Sequence, residues 1–413
     1  MLRRLMTVLA MAGVLTFALA GCQKKDEGTK PPTPTPPGTA KPDAAKPDAA
    51  KPEAGAKPIK VGALFAITGP AANLGGPEEK TARMFVEKLN AAGGLVGRQI
   101  ELIVKDTGAK PENALSAAKQ LMEEEKVLAI IGPSTSGETM AIKNVCQEGK
   151  TILLSCAAAE TIVNPVASYV FKTPQKDSDA ARRIFGLMKE KAIKDVGVIV
   201  SSDGFGKAGA EQLKTLAPEF GVNIAITETY DKTDTELTGI LTKVKGANVK
   251  AVINWSIVPA QAMVAKNMKQ IALDVPLFQS HGYGNINYVK AGGEAANGTI
   301  FPCGRLLVAD VLPDEHPQKN LLAEYKKDYE GQYKEDASTF GGHAYDALLL
   351  LSEAVKKAGG ADSEKVRDAL EGLKGVVGTA GVFNLSPEDH NGLTADAFEM
   401  LTVKDGKFVI YQK

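Results

Sequence analysis

Val127-Leu-Ala-Ile-Ile-Gly-Pro-Ser-Thr-Ser-Gly137 is a short apolar run that stops in Gly132-Pro133 and passes straight into hydroxyls and a glycine. A run of that kind suits a strand buried on both faces. Glu138-Thr-Met-Ala-Ile-Lys-Asn-Val-Cys146 follows with helical spacing. Strand, tight polar turn and helix start place backbone N–H groups and the hydroxyls of Ser134, Thr135 and Ser136 at the positive end of a helix dipole. At the carboxyl end of a parallel strand, such a turn is an anion site. The plainer reading of the same residues is that Ser134 or Ser136 caps the helix.

The same unit repeats outward from this stretch. Lys60 to Ala66, Gln99 to Lys105 and Thr151 to Leu154 read as strands, and Pro111 to Glu125 as an amphipathic helix. Pro77, with Glu78 and Glu79 after it, reads as a helix start, and Gly93-Gly94 as that helix's end. A second set begins near Thr173. Its strands are Val196 to Val200, Val222 to Ile226, Val249 to Asn254 and Pro276 to Gln279, separated by helical stretches. Thr299 to Val308 looks extended, Pro317 to Glu330 and Thr339 to Ala358 helical, and the tail around Asp405-Gly406 a hairpin. Repeated βα units predict an α/β fold, each sheet parallel with helices on both faces. The body from Ile59 to Lys413 is longer than one core serves, so two doubly wound lobes are expected. Lobe one would take residues 59–172 and 304–377, and lobe two 173–303 and 378–413. Three crossings would then form a hinge.

Ahead of the body lies a targeting segment. Arg3 and Arg4 precede an apolar stretch, Leu5 to Leu19, that is short for a membrane span and closes in Leu19-Ala-Gly-Cys22. Small residues directly before a cysteine, followed by Gln23-Lys-Lys-Asp26, resemble a bacterial lipobox, with cleavage before Cys22 and lipid on its sulfur. Residues 23–58 are rich in proline, with Lys-Pro-Asp-Ala-Ala repeated, and have little to bury, so they read as a tether. Lys plus Arg equals Asp plus Glu at 49 each, which argues against a nucleic-acid partner. Past Cys22, the cysteines Cys146, Cys156 and Cys303 lack metal-ligand spacing and allow at most one disulfide.

Enzyme signatures are mostly missing, with Gly204-Phe-Gly206 only a weak match to a dinucleotide loop because the third glycine is absent. The histidines His281, His343, His316 and His390 fall in no two-His helix motif and near no serine elbow, and no Gly-Lys-Ser/Thr phosphate loop occurs. Binding is the expectation, with no cofactor and no metal. Ligands of parallel sheets sit outside the carboxyl ends of the strands. That singles out the turns at Ser134 to Gly137, Ser155 to Glu160, Ser202 to Phe205, Trp255-Ser256 and Ser280-His281-Gly282, which should face one crevice. Trp255 reads either as a cleft wall or as packing inside its lobe.

Val61-Gly-Ala-Leu-Phe-Ala-Ile-Thr-Gly-Pro70, Ile130 to Gly137, Ser155-Cys-Ala-Ala-Ala159, Asp203-Gly-Phe-Gly206, Gly293-Glu294 and Gly342-His-Ala-Tyr-Asp346 together, in this order, resemble the type I periplasmic solute-binding proteins. The likeness is to the leucine/isoleucine/valine-binding branch of ABC-transporter receptors and spans the mature body. It implies two lobes that close on a small ligand, a permease partner, an extracytoplasmic location and a monomer. It places the ligand carboxylate on Ser134 to Gly137, with Ser136 the best match, and on backbone groups of Ala157, Ala158 and Ala159. The family's threonine hydroxyl is missing there, with Thr161 a candidate replacement. Phe205 matches a ligand-covering aromatic, and Asn73-Leu74 a first-lobe covering loop. The family's ammonium-binding acid falls in the turn written here Ser280-His281-Gly282, which has none. A small carboxylate without an α-ammonium is therefore expected, with Asp203 as the acid that would restore an amino acid ligand. A sensor of the same fold without transport is the alternative role.

Overall fold

The structure, a computed structural model, describes residues 57–412. The signal segment, Cys22 and the tether up to residue 56 lie outside the described residues.

The first sheet is built from β1 (Ile59–Phe65), β2 (Ile100–Asp106), β3 (Ala129–Ile131), β4 (Ile152–Ser155) and β5 (Val170–Lys172). All its pairings are parallel, in the order β2-β1-β3-β4-β5. Helices α1 (Ala72–Ala91), α2 (Pro111–Glu123) and α3 (Ser136–Glu148) alternate with these strands. Continuously apolar strands such as Ala129-Ile-Ile131 are buried along their length because helices cover both faces.

After β5 the chain crosses to α4 (Asp177–Glu190), β6 (Asp195–Ser201), α5 (Gly204–Leu216), β7 (Asn223–Tyr230) and α6 (Thr238–Gly246). It continues through β8 (Ala251–Trp255), α7 (Val264–Gln270), β9 (Leu277–Gln279), α8 (Ile286–Gly292) and β10 (Ile300–Cys303). It then returns to the first lobe with α9 (Lys319–Tyr333), α10 (Thr339–Ala358), α11 (Ser363–Glu371) and a small ladder of β11 (Val376–Val377) and β12 (Val382–Phe383). The hairpin of β13 (Glu399–Lys404) and β14 (Lys407–Ile410) joins the second sheet, whose order is β14-β13-β10-β9-β8-β6-β7. β13 and β14 run antiparallel at its edge, and the rest is parallel. The fold is thus two α/β lobes joined by three crossings.

Several local expectations change. α1 begins at Ala72, so Pro77 lies inside the helix rather than at its start. A proline there has no N–H for the carbonyl four residues back. That carbonyl, on Asn73, instead accepts from the Asn285 side chain at 2.9 Å. The stretch 299–308 is extended only over β10, and then turns tightly over Arg305–Val311. Residues 380–397, expected with the second lobe, pack with the first. Ala380, Phe383, Leu385, Leu393 and Ala397 share a buried cluster with β1, β3 and α10. Only from about Phe398 does the chain join the core of the second sheet. Cys146, Cys156 and Cys303 are buried and free.

Candidate functional site

In a sheet ordered 2-1-3-4-5 the winding reverses between the first and third strands, and a crevice opens at their carboxyl ends. Here that point lies between β1 and β3, and in the second sheet between β6 and β8. Residues following these strands meet around one small cavity. Leu74, Ser134, Ser136, Cys156, Ala157, Ala158, Pro174, Phe340 and His343 come from first-lobe or hinge segments, and Phe205, Ile257, His281 and Gly282 from the second. The walls leave 20 Å³ for a water-sized sphere, about one water. A hollow of 260 Å³ at the mouth shares Ile257 and is lined by Pro70, Thr135, Gly137, Asp203 and Lys232 among others. A roomier hollow of 460 Å³ sits at the amino ends of β9 and β10, the wrong end of the strands for a ligand.

The turn after β3 divides its work. Gly132 has φ +90°, and a Cβ on it would lie 2.2 Å from the Leu64 carbonyl oxygen, so the close approach to β1 needs glycine. Thr135, not Ser134 or Ser136, caps α3. Its Oγ1 accepts from Glu138 N–H and the Glu138 carboxylate accepts from Thr135 N–H, a reciprocal capping box. Thr135 thereby lies outside the inner cavity. Ser134 lines it, but its oxygen accepts from Ala66 N–H and its proton goes to buried Glu78. Burial pushes the Glu78 carboxyl well above its ordinary range. Ser136 lines the cavity and accepts from Ala159 N–H at 3.2 Å. Among the described residues its own proton has no acceptor. Ala157 and Ala158 are also in the wall, whereas Ala159 stands behind it holding Ser136. Thr161 is exposed, with its hydroxyl near Met140, and does not replace the missing hydroxyl.

On the second lobe, Phe205 and His281 are in the wall. Trp255 is not. It ends β8, is fully buried, and backs both rings, with centroids 5.9 Å from Phe205 and 5.6 Å from His281. Asp203 caps α5, one carboxylate oxygen accepting from the N–H groups of Phe205 and Gly206, and faces the mouth rather than the inner cavity. Ser280 also serves its own turn, accepting from Gly282 N–H and donating to the Ser256 carbonyl. Burial pushes the His281 imidazole well below its ordinary pKa, and Lys172 adds to this, so it is neutral at pH 7.

His343 escaped sequence reasoning. It sits inside the quoted Gly342 to Asp346 motif, but only the packing of α10 turns it toward the cleft. It is buried, in the cavity wall, and burial lowers its pKa to about 3. Lys172 and Asp177 lie behind the wall. The Lys172 ammonium donates to the carbonyls of Ala158, Pro174 and Gln175 at 2.8–2.9 Å. Burial lowers the Lys172 pKa and raises that of Asp177, each opposed by the other's charge. Asn73 is a rim contact, not a lining residue. Its carbonyl and side chain meet Asn285 and Asn287 of the second lobe. Across the mouth the backbones of Gly137 and Gly204 touch, since a Cβ on Gly204 would fall 2.9 Å from Gly137 N. The cleft is closed by polar and backbone contacts on both rims.

Residues 58–407 match the family described as periplasmic binding protein. The leucine-, isoleucine-, valine-, threonine-, and alanine-binding protein of Pseudomonas aeruginosa is 25% identical over 320 residues, covering 76% of this chain and 82% of that one. An extracellular ligand-binding receptor from Rhodopseudomonas palustris HaA2 superposes with a TM-score of 0.81 at 28% identity, covering 86% of this chain and all of that one (100%). The branched-chain amino acid transporter substrate binding protein LivJ from Streptococcus pneumoniae, solved with isoleucine, gives 0.75 at 26% identity, covering 85% and 97%. Among the described residues no helix is long and apolar enough to cross a membrane. With two lobes closing on a cavity at their strand ends, the chain belongs to the periplasmic binding protein family, of type I fold, whose members are solute receptors rather than enzymes.

Proposed function

We propose that this chain captures a small carboxylate-bearing solute between its lobes and delivers it to the permease of an ABC importer. A lipid on Cys22 would hold it at the outer side of a bacterial membrane. The observation that carries the reading is the cavity shared by both lobes at the first turn of α3. There the Ser136 hydroxyl proton is free, and the positive end of the α3 dipole faces the cavity. The relatives' names favour a branched-chain amino acid. The wall favours an acid without an ammonium, because the turn at 280–282 brings a neutral imidazole and no carboxylate. A buried ammonium without an anionic partner is costly. The closed cavity is too small for either ligand, so uptake requires the lobes to part. Calorimetry of the purified chain with amino acids, 2-oxo acids and aromatic acids tests the reading, and failure of every carboxylate to bind would refute it. Permease and ATPase genes beside this one would support import over sensing.

A further inference from the structure

We propose that His281 and His343 form an oxygen-binding subsite with one imidazole on each side of the cleft. The ligand is then a small carboxylate with a hydroxyl or carbonyl oxygen beside its carboxyl group, the class of 2-hydroxy and 2-oxo acids. This deepens, and rests on, the reading of the cleft as a carboxylate receptor.

Both imidazoles border the same cavity, His281 in the turn after β9 and His343 on α10. They are 7% and 6% exposed. Neither ring nitrogen of His281, nor Nδ1 of His343, has a hydrogen-bond partner among the described residues. Buried polar groups of this kind are normally paired, so unpaired nitrogens at a cavity wall point to a partner that enters the cavity. The groups around His281 do not supply one. Asp177 on α4 approaches Nε2 only to 3.5 Å, long for a hydrogen bond. Lys172 is held by three carbonyls. Phe205, Trp255 and Phe398 present rings.

A neutral imidazole offers one donor and one acceptor. Two of them satisfy a hydroxyl, which gives one proton and accepts another, or a carbonyl oxygen, which accepts from both. An ammonium would need a neutralising charge, and the wall has none. Asp203 caps α5 at the mouth, Glu78 stands behind Ser134, and Asp177 lies behind His281, 3.5 Å from its Nε2. Ser136, the Ala157-Ala158 turn and both imidazoles border the same cavity, which suits a ligand whose two polar groups are neighbours.

The test uses two matched sets of four acids against the mature chain. One set is leucine, 4-methyl-2-oxopentanoate, 2-hydroxy-4-methylpentanoate and 4-methylpentanoate, and the other carries the phenylalanine side chain. Calorimetry gives affinities, and the fluorescence of Trp255, the one tryptophan, reports binding beside His281. In at least one set the oxo or hydroxy acid should bind about tenfold or more tighter than both the amino acid and the unsubstituted acid. His281→Phe and His343→Phe should erase that preference, bringing the oxo or hydroxy acid's affinity down to that of the unsubstituted acid. His343→Asn, which keeps a donor and an acceptor, should retain part of it. If a variant does not fold, the comparison among acids on the parent protein decides. Tighter leucine or phenylalanine binding would overturn the subsite while leaving the solute-receptor reading in place. So would variants that weaken all four acids alike. If none of these acids binds, the subsite falls, and if aromatic acids fail as well, so does the carboxylate-receptor reading.

Discussion

Thr135 and Ser136 are neighbours in sequence with separable work, and that makes them a test pair. Thr135→Ala removes a helix cap and should lower the melting temperature by the equivalent of about 1 kcal/mol, with affinity unchanged. Ser136→Ala removes a hydroxyl whose proton has only the cavity to serve. A hydrogen bond to a carboxylate is worth roughly 1.5–3 kcal/mol, so affinity should fall about ten- to hundredfold with little change in melting. The opposite pattern, a lower melting point and intact affinity for Ser136→Ala, would move Ser136 out of the binding site. His343 gives a second test at this scale. Its pKa is depressed from 6.5 to about 3, so the folded closed form binds fewer protons than the unfolded chain between those values. Stability is fully present above the unfolded value and falls as pH falls through this window, by up to about 1.4 kcal/mol per pH unit for one proton. Asp346, raised to about 7 by burial, has the opposite sign and loses stability as pH rises toward 7. The test therefore compares variant with parent. His343→Gln should flatten the acid limb of melting temperature against pH, and coincident limbs would show that this imidazole is not held uncharged.

Closure is decided between elements. The amino ends of α3 and α5 meet through Gly137 and Gly204, with no side chain between them. Gly204→Val inserts a branched side chain where even a Cβ falls 2.9 Å from backbone. It should hold the lobes apart and weaken binding at least about tenfold. Small-angle scattering would then show no compaction on adding ligand, although the isolated lobes lose nothing. A normal ligand-induced compaction in Gly204→Val would show that closure does not pass through this contact. On the other rim, α1 reaches back to Ala72 past Pro77 because Asn285 takes the Asn73 carbonyl that the proline leaves free. The sequence points to Pro77 as a start because proline is common there. The true start depends on a residue more than two hundred positions away, which no local pattern carries.

At the scale of the whole molecule, anchoring is separate from ligand capture. Cys22→Ser should release the protein from membranes, or leave its precursor uncleaved, without changing affinity. A processed, membrane-bound variant would exclude lipid on that cysteine. Much of the body was legible along the chain. Runs such as Val127 to Ile131 are buried on both faces, and an apolar stretch with a polar stop is a local property. Alternation of such strands with amphipathic helices sets the α/β class, and the ends of the strands mark out the cleft. Phe205, Ser136, Ala157, Ala158 and His281 are found there because they sit in turns at the carboxyl ends of strands, and Leu74 because the first turns of α1 reach the cleft. What needed tertiary structure was the destination of side chains whose neighbours are distant in sequence. Trp255 could have been wall or core, and the packing of α5 made it core. His343 lies on a helix that reads as ordinary until α10 sets it against the second lobe. Residues 380–397 have too few apolar positions in any regular pattern to announce a partner, and they joined the first core by filling it. The sequence by itself determined most of the strands and helices and the class of fold, since hydrophobic periodicity is written locally. Only the tertiary structure decided which polar groups keep a free hydrogen bond for a ligand, since that depends on what every neighbour has already taken.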